Sequence, residues 1–132
     1  MASTRRRSAD RRVLLVDSIT ELNAHDAGDW VVSGSHGGIS AAAYALQQPL
    51  GLVVFNDAGV GKDGAGIAGL APLDAAGQPA LTVAHTSARI GDAHDAWAHG
   101  VISHVNASAA ALGLIAGQRL REAIAGVRPE AP

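Results

Sequence analysis

Short apolar runs alternate along this chain with dense polar tracts. The run at 13–16 leads into Asp17-Ser18, and that at 30–32 into Ser33-Gly34-Ser35-His36-Gly37-Gly38. The run at 52–55 leads into Asn56-Asp57-Ala58-Gly59-Val60-Gly61-Lys62-Asp63-Gly64, and that at 80–84 into His85-Thr86-Ser87-Ala88-Arg89-Ile90-Gly91-Asp92. Runs rich in Val, Leu and Ile and bounded by turn residues read as strands, here at 12–17, 30–34, 50–56, 80–85 and 101–105. The stretch at 50–56 is almost unbroken in its apolarity, the pattern of a central strand covered on both faces.

Helical segments fall between them. Residues 20–27 form a short polar connection with room for one or two helical turns. Residues 39–48 carry Ala, Tyr and Leu and stop at Pro49, which has no N–H for the next turn. A helix over 66–76 closes at Gly77 with Pro79 beyond it. Another over 92–99 ends at Gly100, and Asn106 caps a last helix over 107–125. Strands alternating with helices predict an α/β domain: a Rossmann-like or flavodoxin-like three-layer sandwich with a mostly parallel sheet of four or five strands. In such sheets ligands bind outside the carboxyl ends of the strands, so the four polar tracts are expected to build one site.

Length and composition narrow the picture. The chain has 132 residues, enough for one domain, assigned to 11–126 between a disordered basic tail at 1–10 and a flexible tail at 127–132. Apolar residues make up 48% but aromatic ones only 3%, so the core must rely on close approach of small side chains. There is no cysteine, which excludes disulfides, thiol nucleophiles and cysteine-ligated metals. No run is long enough for a membrane span and no apolar region follows the basic start, so a cytoplasmic protein without membrane contact is expected. Arg5, Arg6, Arg7, Arg11 and Arg12 supply half of the ten cationic residues, and the rest of the chain is acidic. The basic tract lacks interleaved aromatics, and the acidic body offers no broad basic face, so no nucleic-acid partner is expected. Gly113 and Gly117, four apart on the expected last helix beside Leu112, Leu120 and Ile124, suggest a packing face for a homo-oligomer.

The tracts themselves carry the candidate chemistry. Gly34, Gly37 and Gly38 join a strand end to a helix start and offer backbone N–H groups for an anion or oxyanion; Ser35 and His36 add a hydroxyl and a base. Gly59-Val60-Gly61-Lys62-Asp63-Gly64 matches G-x-G-x-x-G in form, but it follows the third strand, and the next strand ends at His85 rather than at an acidic residue. No nucleotide cofactor is therefore expected. Lys62 is the only lysine, flanked by Asn56, Asp57 and Asp63; with Gly61 these residues form a polar loop suited to proton transfer and substrate contact. Beyond the fourth strand, His85 and Ser87 are candidates for proton transfer and nucleophilic attack, and Arg89 for bidentate binding of a carboxylate. His94, His99 and His104 stand five apart, turning to different faces, so no metal site is expected.

Taken together these residues point to a small-molecule enzyme of the hydrolase or lyase type acting on a small anionic, carboxylate- or amide-bearing substrate. His36, Lys62, His85, Ser35 and Ser87 would be catalytic, with Gly34, Gly37, Gly38, Asn56, Asp57, Gly61 and Arg89 binding the substrate. The alternative is a non-catalytic anion-binding or sensory domain, or an accessory subunit of a larger enzyme, in which the same loops only bind.

Overall fold

The computed structural model describes residues 6–7 and 13–127. Among the described residues six strands form one sheet: β1 (Arg6–Arg7), β2 (Val13–Val16), β3 (Trp30–His36), β4 (Leu52–Asn56), β5 (Ala80–Val83) and β6 (Ile102–Val105). Strands β2 to β5 are parallel, while β1 and β6 run antiparallel at the two edges. The α/β class and the mostly parallel sheet agree with the sequence pattern.

The strand order does not match the expected folds. Rossmann and flavodoxin sheets reverse their order part-way, creating a crevice at the reversal. Here the strands stand side by side in chain order, so the sheet has no reversal point. Right-handed crossovers that all step the same way put their connections on one face. Helices α1 (Ile39–Ala45) and α2 (Leu70–Ala75) accordingly join the 3-10 turn Ile19–Glu21 over Leu14, Val16, Val31, Val53 and Phe55. The opposite face, with Val13, Leu15, Val32, Leu52, Val54 and Leu81, is covered by α3 (Ala93–His99) and the terminal helix Leu120–Val127. Alternate residues of one strand point to opposite faces, and both faces are buried, which accounts for the unbroken apolar runs.

Several boundaries differ from the sequence reading. Strand β3 continues through Ser35 and His36, so these belong to the strand end rather than to a turn. The expected helix over 107–125 is two, α4 (Ala107–Ala110) and α5 (Leu120–Val127). Gly113 and Gly117 lie between them with φ of 101° and 96°, a left-handed backbone that no helix continues. The smooth glycine face that suggested a homo-oligomer is thus not formed, and Leu120 and Ile124 are buried within the chain. Asn106 does cap α4, accepting from the Ala109 N–H at 2.9 Å. The polar connection after β2 holds two 3-10 turns, Ile19–Glu21 and Ala24–Asp26, each closed by a capping box. Of the expected tails, residues 1–5, 8–12 and 128–132 lie outside the described residues, while Arg6–Arg7 pair with β2 and Val127 ends α5. Among the described residues no helix is long and apolar enough to cross a membrane.

Candidate functional site

The parallel strands bring their carboxyl ends to one edge, where His36 of β3 stands beside Asn56 of β4, and Asn56 beside Val83 of β5. The connection after β5, residues 84–92, does not leave this edge but runs back across it. The Asn56 side-chain amide donates to the Ala88 carbonyl at 2.9 Å, and the Gly91 N–H donates to the Gly34 carbonyl at 2.7 Å. The Ala93 N–H then donates to Asp17 Oδ1 at 2.9 Å. This strap therefore crosses β4, β3 and β2 in turn and delivers α3 to the far face of the sheet. A Cβ on Gly34 would lie 2.5 Å from Asp92 N and 2.5 Å from Gly91 C, so glycine is needed there for the close approach of the strap. Asn56 and Gly34, two of the residues expected to bind substrate, are engaged in holding the chain to itself.

Other expected site groups are engaged in the same way. The Ser87 hydroxyl donates to the Ala84 carbonyl at 2.7 Å and accepts from the Val101 N–H at 2.9 Å, which fixes it as a loop tie. Ser35 Oγ accepts from the Ile19 N–H at 2.9 Å. The Gly37 N–H donates to the Asn56 carbonyl and the Gly38 N–H to its neighbour His36, so the open amide cradle expected over 34–38 is not formed. Arg89 extends into solvent with its side chain 81% exposed, 4.0 Å from Asp92, and Lys62 is exposed in the 3-10 turn Lys62–Gly64.

The glycine-rich loop after β4 is a self-contained turn. Ala58, Val60 and Asp63 have φ of 52°, 68° and 57°, and Gly59, Gly61 and Gly64 are also left-handed. The N–H groups of Val60, Gly61 and Gly66 donate to the carbonyls of Asp57, Gly59 and Val60 at 2.7 Å each. Amides turned inward in this way do not present themselves to a phosphate. A left-handed valine is unusual for a β-branched residue and marks the loop as strained.

What the edge leaves available is two histidines and a buried carboxylate. Asp57, 4% exposed, accepts through Oδ1 from the Gly59 N–H at 2.8 Å, the His85 N–H at 3.0 Å and, at 3.3 Å, His85 Nδ1. Burial pushes the Asp57 carboxyl up, but hydrogen bonds from the Gly59 N–H, the Ser103 hydroxyl, and the N–H and ring of His85 outweigh it, and the acid is held below its ordinary value. With a carboxylate as partner, His85 Nδ1 is the donor, and in the neutral ring the lone pair is then on Nε2. His36 is arranged the other way round. Its Nδ1 accepts from the Gly38 N–H at 3.0 Å, which places the ring proton on Nε2. One histidine thus offers an acceptor and the other a donor.

Two cavities meet at His36. The larger, about 260 Å³, is bounded by His36, Ala58, Val60, Gly61, Ala65, Gly66 and Ile90 and is almost wholly apolar. The smaller, about 180 Å³, lies on the other side, among Ser18, Thr20, Ser35, Ser40 and Tyr44. Of the residues expected to form one site, Gly61 lines the larger cavity, Ser35 the smaller and His36 both, whereas Asn56, Lys62, His85 and Arg89 line neither. Neither is lined by a charged side chain, and among the described residues no three His, Asp or Glu gather as a metal-holding group.

Sequence reasoning missed Val60 and Ile90, which wall the apolar cavity, and Ser40 and Tyr44, read only as helix. It placed Asp57 among substrate contacts, whereas here Asp57 orients His85, 28 residues on. Comparison with protein-family models, with curated proteins and with solved structures gives no match, so the chemistry of the site rests on its own geometry.

Proposed function

We propose that this chain is a small-molecule enzyme that moves protons next to a carbonyl group, nearer a lyase or isomerase than a serine-type hydrolase. The supporting observation is the opposite hydrogen-bonding state of two histidines at one sheet edge: His85 with Nδ1 on the Asp57 carboxylate, His36 with Nδ1 on a backbone N–H. A base oriented by a carboxylate and a neutral imidazole that donates from Nε2 are the two parts that enolisation needs. His85 Nε2 removes the proton from the carbon beside the carbonyl. The electron pair of that C–H bond moves into the carbon framework, and charge develops on the carbonyl oxygen, where the His36 Nε2–H stabilises it or supplies a proton. Return of the proton from His85 to carbon, with any proton given to the oxygen passing back to His36 Nε2, closes the cycle without any co-reactant. His36 and His85 stand on β3 and just past β5, two strand spacings or about 10 Å apart, so the exposed His85 side chain must reach over the β4 loop for its Nε2 to meet the carbon next to a carbonyl held at His36.

A covalent acyl-transfer route through Ser87 has less support, because its hydroxyl is held on both sides. Arg89, expected to bind an anion, and Lys62, expected to act in catalysis, both stand in solvent, so recognition rests on the cavities rather than on a cationic clamp. The cavities lie below the range of about 300–1,000 Å³ of drug-sized sites, in keeping with a small substrate. The two apolar clusters support a three-layer arrangement around the sheet, with this edge as its working end.

Deuterium exchange tests the reading. Butanone, pyruvate and dihydroxyacetone, each incubated with the protein in D2O, are followed by proton NMR for loss of the signals beside the carbonyl. Exchange above background with at least one, lowered about 10²- to 10⁴-fold in His85→Gln and in His36→Gln, is the expected result. Absence of protein-dependent exchange with all three would overturn the acid–base reading in favour of a binding or accessory domain.

A further inference from the structure

We propose that the smaller cavity is a subsite for a neutral, polyhydroxylated group, so that the substrate is a short hydroxylated carbonyl compound with its carbonyl at His36. The placement of the carbonyl rests on the acid–base reading of His36; the binding preference of the cavity does not. Five hydroxyl side chains line this space, Ser18, Thr20, Ser35, Ser40 and Tyr44, beside the apolar Ile19 and Ala41, and His36 forms its boundary with the apolar cavity.

The chemistry of the lining selects the ligand. A hydroxyl both donates and accepts, so a cluster of them matches another set of hydroxyls whichever way each is turned. An anion or cation entering the same space would give up water without meeting an opposite charge, since no charged side chain lines it. Three of the five hydroxyls are engaged in the fold: Ser35 Oγ accepts from the Ile19 N–H at 2.9 Å, and Ser18 Oγ lies 2.7 Å from Thr20 Oγ1. These bonds fix the positions of the acceptors. Ser40 and Tyr44, four apart on one side of α1, are exposed and free to turn toward a ligand. The Tyr44 ring, 43% exposed, adds an apolar face for the C–H side of a polyol chain or sugar ring.

The lining also divides the ligand. On the β4-loop side of His36 the walls are Ala58, Val60 and Ile90, and on the α1 side five hydroxyls stand beside Ile19 and Ala41. A molecule that reacts at His36 with its hydroxylated end toward α1 would leave the other side for a small apolar end or for water.

Binding and exchange are measured separately. Xylitol and erythritol, which have no carbonyl, are titrated into nitrogen-15-labelled protein, with inorganic phosphate as the charged comparison. The expected result is saturable shifts of the amide signals of residues 18–21 and 35–44 with the polyols and not with phosphate. Ser40→Val and Tyr44→Leu, both at exposed positions, should each weaken polyol binding about 2- to 13-fold, the range for one lost hydrogen bond. Dihydroxyacetone should exchange faster than butanone or pyruvate. No saturable shift with either polyol, shifts with phosphate alone, or polyol binding indifferent to both variants would overturn the subsite. Polyol binding that obeys the variants without exchange in any carbonyl compound would leave the subsite standing and remove the acid–base function. Exchange that favours butanone or pyruvate would keep that function and remove this substrate class.

Discussion

Replacing Asp57 should cost stability in a way that depends on pH. Two backbone N–H groups, those of Gly59 and His85, donate to Asp57 Oδ1 at 2.8 and 3.0 Å, and the side chain is 6% exposed. Asp57→Ala leaves both donors without an acceptor, and each such loss is worth about 1–3 kcal/mol, for a total of about 2–6 kcal/mol. Because the neighbouring His85 side chain is 56% exposed, water can reach part of the gap, and the lower half of that range is expected. Asp57→Asn keeps an oxygen acceptor but loses the charge, and should cost about 1–2 kcal/mol. The folded-state pKa of Asp57 lies below its ordinary 3.8, so the charged form adds stability above that pH, and the contribution fades as pH falls through the lower folded value. The difference between wild type and Asp57→Asn should therefore be constant near neutrality and shrink on acidification below about pH 4. Trp30 and Trp97 are both 6% exposed, so their fluorescence reports urea unfolding directly. An Asp57→Ala loss below about 0.5 kcal/mol, or an Asn gap indifferent to pH, would show that the carboxylate is solvated and that His85 has no fixed partner.

Two glycines should behave in opposite ways under the same substitution: Gly34→Ala sets a methyl 2.5 Å from backbone atoms of the strap and should cost about 3 kcal/mol or more, while Gly126→Ala, in open space on α5, should add up to about 1 kcal/mol. Urea midpoints check both. Val60→Gly removes a strained left-handed valine and should raise the thermal midpoint while enlarging the apolar cavity; a lower midpoint would mean that its wall contacts outweigh about 1–3 kcal/mol of backbone strain.

The strands were legible in the sequence because each buries both faces, and a continuous run of Val, Leu and Phe such as 52–55 has few other uses. The caps at Asn106 and the stops at Gly77 and Gly100 were legible because their chemistry is local. Strand order was not, since the same alternation of elements serves a reversing sheet and a sequential one. The division of 107–125 was hidden because Ala, Leu and Ile fit a helix whichever way Gly113 and Gly117 turn, and only burial of Leu114 inside the core shows where the chain must bend. At the site, polarity at the strand ends was real but its object was misread. Asp17, Gly34 and Asn56 bind the returning strap, a partner far away in sequence that no local pattern announces. The pairing of Asp57 with His85 depends on β4 and β5 being neighbours, which their spacing alone does not establish.

The sequential strand order has a kinetic consequence. Every strand pairs with the one made just before it, so the sheet can grow by short loop closures, each of low entropic cost. The strap is the exception: its bond from Ala93 to Asp17 joins residues 76 apart and must wait until β2, β3 and β4 have aligned their ends. Docking of α3 should then be a late event, absent from the transition state. Ala96→Gly in α3 would chiefly speed unfolding, whereas Val53→Ala in β4 would chiefly slow folding. A chevron in which Ala96→Gly slows folding instead would place the strap in the nucleus. With a late strap, the last part of the chain to settle is the one that roofs the apolar cavity with Ile90, and local opening of that roof costs less than global unfolding. The same low-cost opening would give a small molecule its way in.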